Sequence, residues 1–205
     1  MIVIVDYGLG NLFSVRNAFK LLGVEAVLSS KPDDIRNADR LILPGVGAFG
    51  DGISNLKRLG LDGVLTSEVV DKKKPFLGIC LGLQLLADRG FEYGEHPGLG
   101  WMRGEVRKLD VEKSGFKLPH IGWNSIQTVR PSPLLDGIPP DADFYFLNSY
   151  HFICGNSEDL VADSSYGGKV TAVVQRENIF GVQFHPEKSQ DNGLRLLENF
   201  VNWEP

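Results

Sequence analysis

At 205 residues, 42% hydrophobic and 23% charged, the chain is long enough to bury a substantial core without disulfides or metals, and it reads as one domain over 1–205. A net charge of −5 with no basic stripe argues against a nucleic-acid partner. Two cysteines are too few for a secreted disulfide framework, no apolar run reaches membrane-spanning length, and the start Met1–Asp6 has no basic signal region, so a cytoplasmic protein with no membrane partner is expected.

In chain order, the apolar run Ile2–Val5 predicts a strand, and Leu12, Val15, Phe19 and Leu22 fall at helical spacing. Ala26–Leu28 and Leu41–Leu43 predict two more strands. Ile53, Leu56, Leu59 and Leu61 predict a helix, followed by the apolar stretch Val64–Val70 and the strand Pro75–Ile79. Strands without polar alternation, separated by helices, predict a parallel sheet covered on both faces. After Gly98 the pattern changes. Val106–Leu109, Ile126–Val129, Phe144–Leu147, Val161–Asp163, Val170–Gln175 and Ile179–Phe184 are short strand-like runs between turn residues. They predict an antiparallel or mixed extension, followed by a helix over Asn192–Val201 with Leu194, Leu197 and Phe200 on one face.

Two segments carry chemistry. Gly78-Ile79-Cys80-Leu81-Gly82-Leu83-Gln84 ends a strand and opens a helix with a thiol between two glycines, the pattern of a nucleophile elbow in which glycine permits a sharp turn. A lone cysteine is usually a small core hydrophobe, which is the reading for Cys154. At Cys80, the helix N–H groups can favour a thiolate, and that of Leu81 can receive charge on an oxygen. The second segment, Gly181 to Ser189, supplies His185 and, two residues on, Glu187. Cys80, His185 and Glu187 make a candidate nucleophile, base and orienter. An isolated histidine near an apolar strand is often structural, but Pro186 fixes a turn that keeps the carboxylate close.

Pro44–Gly50 is a glycine-rich strand-to-helix turn. Its plain reading is a flexible connection; in a parallel sheet it also lines the crevice of the elbow and can complete an oxyanion hole. Asp6–Phe13 breaks the dinucleotide fingerprint at its third glycine, and no Walker sequence occurs. His96, His120, His151 and His185 are scattered without metal-ligand spacing. Neither a nucleotide cofactor nor a metal is expected.

Through Gly-Ile-Cys-Leu-Gly-Leu-Gln and Phe-His-Pro-Glu the chain resembles the triad-type (class I) glutamine amidotransferases. Asp-Tyr-Gly-Leu-Gly-Asn-Leu at 6–12, Pro-Gly-Val-Gly-Ala-Phe at 44–49, Gly-Leu-Gly-Trp at 98–101, Pro-His-Ile-Gly-Trp-Asn at 119–124 and Phe-His-Pro-Glu-Lys-Ser at 184–189 narrow the resemblance to the glutaminase subunits of imidazole glycerol phosphate synthase. It spans nearly the whole chain.

The resemblance implies an open, mostly parallel (mixed) sheet of flavodoxin-like architecture with helices on both faces. It implies hydrolysis of L-glutamine to glutamate and ammonia, with Cys80 as nucleophile, His185 as general base and acid, and Glu187 orienting it. Leu81 would give one oxyanion N–H and the turn at Val46 and Gly47 the other. Gln84, Glu92, Ser149 and Tyr150 would hold the substrate, Trp123 and Lys188 would face a partner, and no metal or cofactor is required. That partner is a cyclase subunit with a (β/α)8 barrel, paired as a heterodimer and receiving the ammonia through a channel in histidine biosynthesis.

The chain departs at Asn148-Ser149-Tyr150-His151, where many members have a histidine before Ser-Tyr or Thr-Tyr. The change bears on coupling between partner and active site. It keeps open a paralogous glutaminase feeding another synthase, such as an amidotransferase of surface-polysaccharide sugars. A stand-alone cysteine hydrolase leaves Gln84 and the 98–101 and 119–124 segments unexplained, and a non-catalytic scaffold predicts loss of a triad residue.

Overall fold

The computed structural model describes residues 1–112 and 114–204. Its elements are β1 (Ile2–Val5), α1 (Leu12–Leu21), β2 (Ala26–Ser29), α2 (Pro32–Asn37), β3 (Arg40–Gly45), α3 (Phe49–Arg58), α4 (Leu61–Thr66), β4 (Phe76–Cys80) and α5 (Leu81–Gln84). There follow β5 (Arg89–Gly90), β6 (His96–Pro97), β7 (Gly104–Lys108), β8 (His120–Thr128), β9 (Asp143–Asn148), β10 (Tyr150–Cys154), β11 (Leu160–Ser165), β12 (Lys169–Arg176), β13 (Ile179–Val182) and α6 (Gln190–Asn202). Among the described residues, no helix is long and apolar enough to cross a membrane.

The main sheet has nine strands in the order β2-β1-β3-β4-β13-β12-β11-β8-β9, and a smaller one has four, β10-β7-β5-β6. From β2 to β13 the main sheet is parallel. From β13 outward to β9 every pairing is antiparallel. The change of pattern after Gly98 therefore marks a real change of architecture.

Side chains alternate between the faces of a strand, and two cores follow that alternation. Ile2, Ile4, Ile42, Leu77 and Ile79 pack with Val15, Phe19, Leu196, Leu197 and Phe200 on one face. Val3, Val5, Leu41, Leu43 and Phe76 pack with Ile35, Ile53, Leu56, Leu61 and Leu65 on the other. Each such side chain contributes about 1.5–3 kcal/mol when fully buried. The centre of the sheet is thus the most firmly held part of the chain, and β3 and β4 end there.

Some elements differ from expectation. The helix through Ile53–Leu61 is two helices, because Gly60 turns left-handed at φ +66 between α3 and α4. Val64–Val70 carries α4 into a π-helical turn over Ser67–Asp71. β8 starts at His120 rather than Ile126; its first half exposes Ile121 and Trp123 and has no continuous apolar run to reveal it. The unexpected α2 is six residues long with Ile35 its only buried side chain, too short to show a period.

Candidate active site

Gly45 of β3 lies opposite Cys80 of β4, so the Pro44–Gly50 turn and the elbow meet where the parallel strands end. Cys80 stands at φ +54, ψ −108, a region that costs a non-glycine residue about 1–3 kcal/mol. The glycines around it do something other than turn the chain. Neither Gly78 nor Gly82 takes a left-handed φ. A Cβ on Gly82 would overlap the Leu43 carbonyl, and one on Gly78 would stand 2.7 Å from the Gly82 backbone. Their bare backbones let α5 rest directly on β3 and β4, and that contact over-determines the strained thiol. Leu81 is the first residue of α5, so its N–H has no acceptor within the helix.

β13 pairs with β4, which brings the segment after it beside Cys80. His185 is buried, with Nδ1 2.8 Å from Glu187 Oε1. Its backbone N–H donates to the Tyr145 carbonyl at 2.8 Å, and Ser189 Oγ donates to its carbonyl at 2.6 Å, so the ring is held at both ends of the residue. Nε2 has no hydrogen-bond partner at bonding distance, yet Cys80 is near enough to govern the ring. Burial pulls the His185 pKa down, but Cys80 first and Glu187 second outweigh it and raise it to about 10.

The crevice holds a cavity of about 350 Å³. Of the residues singled out from sequence, Cys80, Leu81, Val46, Gly47, Gln84, Glu92, Ser149 and Tyr150 all line it. Glu92 also accepts the Phe49 N–H at 2.9 Å, which ties the cavity wall to the start of α3. Tyr150 has its pKa raised by burial and then by Glu92 and Tyr93. Asn148 lines the cavity too; its Nδ2 donates to the Tyr150 carbonyl at 3.0 Å, while its buried Oδ1 has no partner.

Trp123 and Lys188 lie outside this lining but come together. Trp123, 48% exposed, meets Tyr145 edge-on at 6.1 Å, and Lys188 Nζ lies 5.7 Å above the same ring. Tyr145 was not singled out from sequence, although it joins this outer pair to His185 through its carbonyl.

Two more residues escaped the sequence reading. Tyr7 is fully buried against Gly45 with its hydroxyl unpartnered, and burial, then Cys80, pushes its pKa up. Gln183 is also fully buried and reaches Cys80 Sγ. Its signal was available: it is the one amide in the otherwise apolar run Ile179–Phe184. Among the described residues, no group of three or more His, Cys, Asp or Glu is placed to hold a metal.

Comparison with known proteins follows the same lines. Residues 3–203 match the family described as Glutamine amidotransferase class-I. The chain is 46% identical over 201 residues to "Imidazole glycerol phosphate synthase subunit HisH 1" of Campylobacter jejuni (strain RM1221), covering 98% of this chain and 99% of that protein. It is 45% identical over 201 residues to "Imidazole glycerol phosphate synthase subunit HisH 2" of Pseudomonas aeruginosa PAO1, covering 98% of each. Among solved structures it overlays PurLQS from Thermotoga maritima with a TM-score of 0.76 at 17% identity, over 98% of this chain and 97% of that one, a likeness of fold.

Proposed function

The chain belongs to the class-I glutamine amidotransferases, and from that premise we propose that Cys80, His185 and Glu187 hydrolyse L-glutamine to glutamate and ammonia. One observation carries the reading: a strained cysteine opens on a cavity of about 350 Å³ with a histidine–carboxylate pair at 2.8 Å beside it. The Cys80 thiolate attacks the side-chain carboxamide carbon of glutamine, forming the C–S bond while the carbonyl electrons move to oxygen. The Leu81 N–H and an N–H of the Val46–Gly47 turn receive that charge; losing one such donor costs about 100- to 1000-fold in rate. Collapse breaks the C–N bond, and imidazolium His185 gives its proton to the departing ammonia. His185 then takes a proton from water, which attacks the thioester, and the C–S bond breaks to release glutamate. Glu187 holds Nδ1–H throughout and so keeps Nε2 facing the reaction.

The ammonia passes to a (β/α)8-barrel cyclase subunit in a heterodimer, which makes imidazole glycerol phosphate and an aminoimidazole carboxamide ribotide in the cytoplasm. Support for this acceptor is the full-length likeness to the HisH subunits. Exposed Trp123, with half-buried Tyr145 and Lys188 behind it, is the docking face, since the cluster connects to His185 through Tyr145. A second reading, a paralogue serving another synthase, draws on Asn148 in the cavity wall.

Glutamate release by the chain alone, with the barrel subunit, and with that subunit plus its ribotide substrate tests both. Strong stimulation in the third state is the expected outcome. A folded chain that is active on glutamine but unmoved by the barrel would assign its ammonia to a different synthase.

A further inference from the structure

Two buried amides connect the cavity wall to the nucleophile. The Tyr150 carbonyl can only accept, so Gln84 Nε2, 2.8 Å away, is the donor there. The same nitrogen lies 3.1 Å from Gln183 Oε1. That contact fixes the Gln183 amide with its oxygen toward Gln84 and its nitrogen toward the elbow. Gln183 Nε2 then reaches Cys80 Sγ at 3.6 Å. Gln183 is fully buried and Gln84 is 4% exposed, so water does not compete for these groups.

The sulfur therefore has two neighbours of opposite character. The Leu147 carbonyl, 3.9 Å away, can accept from a thiol, whereas the Gln183 N–H can only donate. A thiol sulfur is a weak acceptor and a thiolate a strong one, so the amide gains most when Cys80 is ionised. Because the amide is already oriented by Gln84, little reorganisation accompanies that ionisation.

We propose that Gln183 serves the nucleophile directly: its side-chain N–H donates to the Cys80 sulfur and favours the attacking thiolate over the thiol, and Gln84 sets the direction of that N–H from the wall of the glutamine cavity. Occupancy of the cavity and reactivity of the thiol are thereby linked through one line of hydrogen bonds, Tyr150 carbonyl to Gln84 to Gln183 to Cys80. The inference rests on the reading of Cys80 as nucleophile.

The test is the pH profile of Cys80 alkylation by iodoacetamide, read at the Cys80 peptide by mass spectrometry, in the natural chain and in Gln183→Met. Methionine keeps the length and removes the donor. The alkylation midpoint moves to higher pH by about one unit. A readout independent of any Gln183 variant is the Gln183 side-chain amide proton signal in the natural chain. It titrates with the same midpoint as alkylation, and the response disappears in Cys80→Ala. An unmoved midpoint in folded Gln183→Met, or an amide signal blind to the Cys80 titration, overturns the proposal. Full glutaminase activity in Cys80→Ala would instead overturn the nucleophile reading, and the relay with it.

Discussion

The parallel and antiparallel halves of the main sheet meet at β13 but are built under different constraints. Where β3 and β4 end, glycine is imposed by close contact: a side chain at Gly45 would collide with the Tyr7 and Leu81 side chains, one at Gly78 with the Gly82–Leu83 backbone, and one at Gly82 with the Leu43 carbonyl. On the antiparallel side, Gly122, Gly137 and Gly168 meet nothing within 4 Å, and β8 leaves Ile121 and Trp123 facing outward. The strained backbone at Cys80, the nucleophile we propose, needs surroundings that leave it no alternative, and the touching backbones at Gly78 and Gly82 provide them. The recognition we propose needs side chains that open on the cavity or on solvent, and the Leu147–Tyr150 wall and the outer face of β8 provide those.

The widest separation between the halves is in rate. Cys80→Ala lowers glutamate release at least about a thousandfold, because the covalent route is lost and only binding and oxyanion donors remain. Ser149→Ala, on the antiparallel wall, acts mainly through KM and costs about tenfold. Steady-state kinetics on the two variants measures the contrast. A loss at Ser149 as deep as that at Cys80 would erase the division of labour.

Stability should divide the same way. Gly82→Ala forces a methyl group into the Leu43 carbonyl, backbone that cannot swing aside, and costs about 3 kcal/mol in denaturant unfolding. Gly168→Ala, in the exposed β11–β12 turn with open space and no left-handed φ, changes stability by no more than about 0.5 kcal/mol.

The same division governs what could be read from sequence. Buried parallel strands carry unbroken apolar runs, so Ile2–Val5, Leu41–Leu43 and Pro75–Ile79 stood out, and with them the elbow at Cys80 and the turn at Val46 and Gly47. Apart from His120 and Phe152, the first half of β8 and all of β10 are exposed or half-buried, so their patterns are weak. The remaining cavity residues, Gln84, Glu92, Ser149 and Tyr150, came from motif resemblance rather than from period or spacing. Tyr145 leaves no mark in either, and Gln183 shows only as the one amide in an apolar run, since what matters about each is a contact across strands, an amide on Sγ and a carbonyl on the His185 N–H. The role of the elbow glycines was misread for the same reason: the sequence shows glycine but not which backbone it touches.

Histidine titration separates the halves more gently. In the antiparallel half His120 is stacked between Phe146 at 4.7 Å and Tyr166 at 3.8 Å, and burial lowers its pKa from the ordinary 6.5 to about 4. Burial does the same to His151. Both are folded neutral and protonate more readily when unfolded. Their contribution is therefore complete above pH 6.5 and is lost as pH falls toward 4. His185 has the opposite sign. Raised to about 10 by Cys80 and Glu187 against the pull of burial, it stabilises fully below 6.5, and that contribution is lost as pH climbs through 10. Urea unfolding across this range should show a fall of about 1–2 kcal/mol on the acid limb, discounted for the solvent that reaches His151. His120→Phe keeps the stack without a titrating ring and flattens part of that limb while leaving the alkaline one in place. Cys80→Ala does the reverse, because it removes the stronger of the two groups that hold His185 protonated. If either variant flattened both limbs, the two halves would be sharing one titration, and the separation between them would fail.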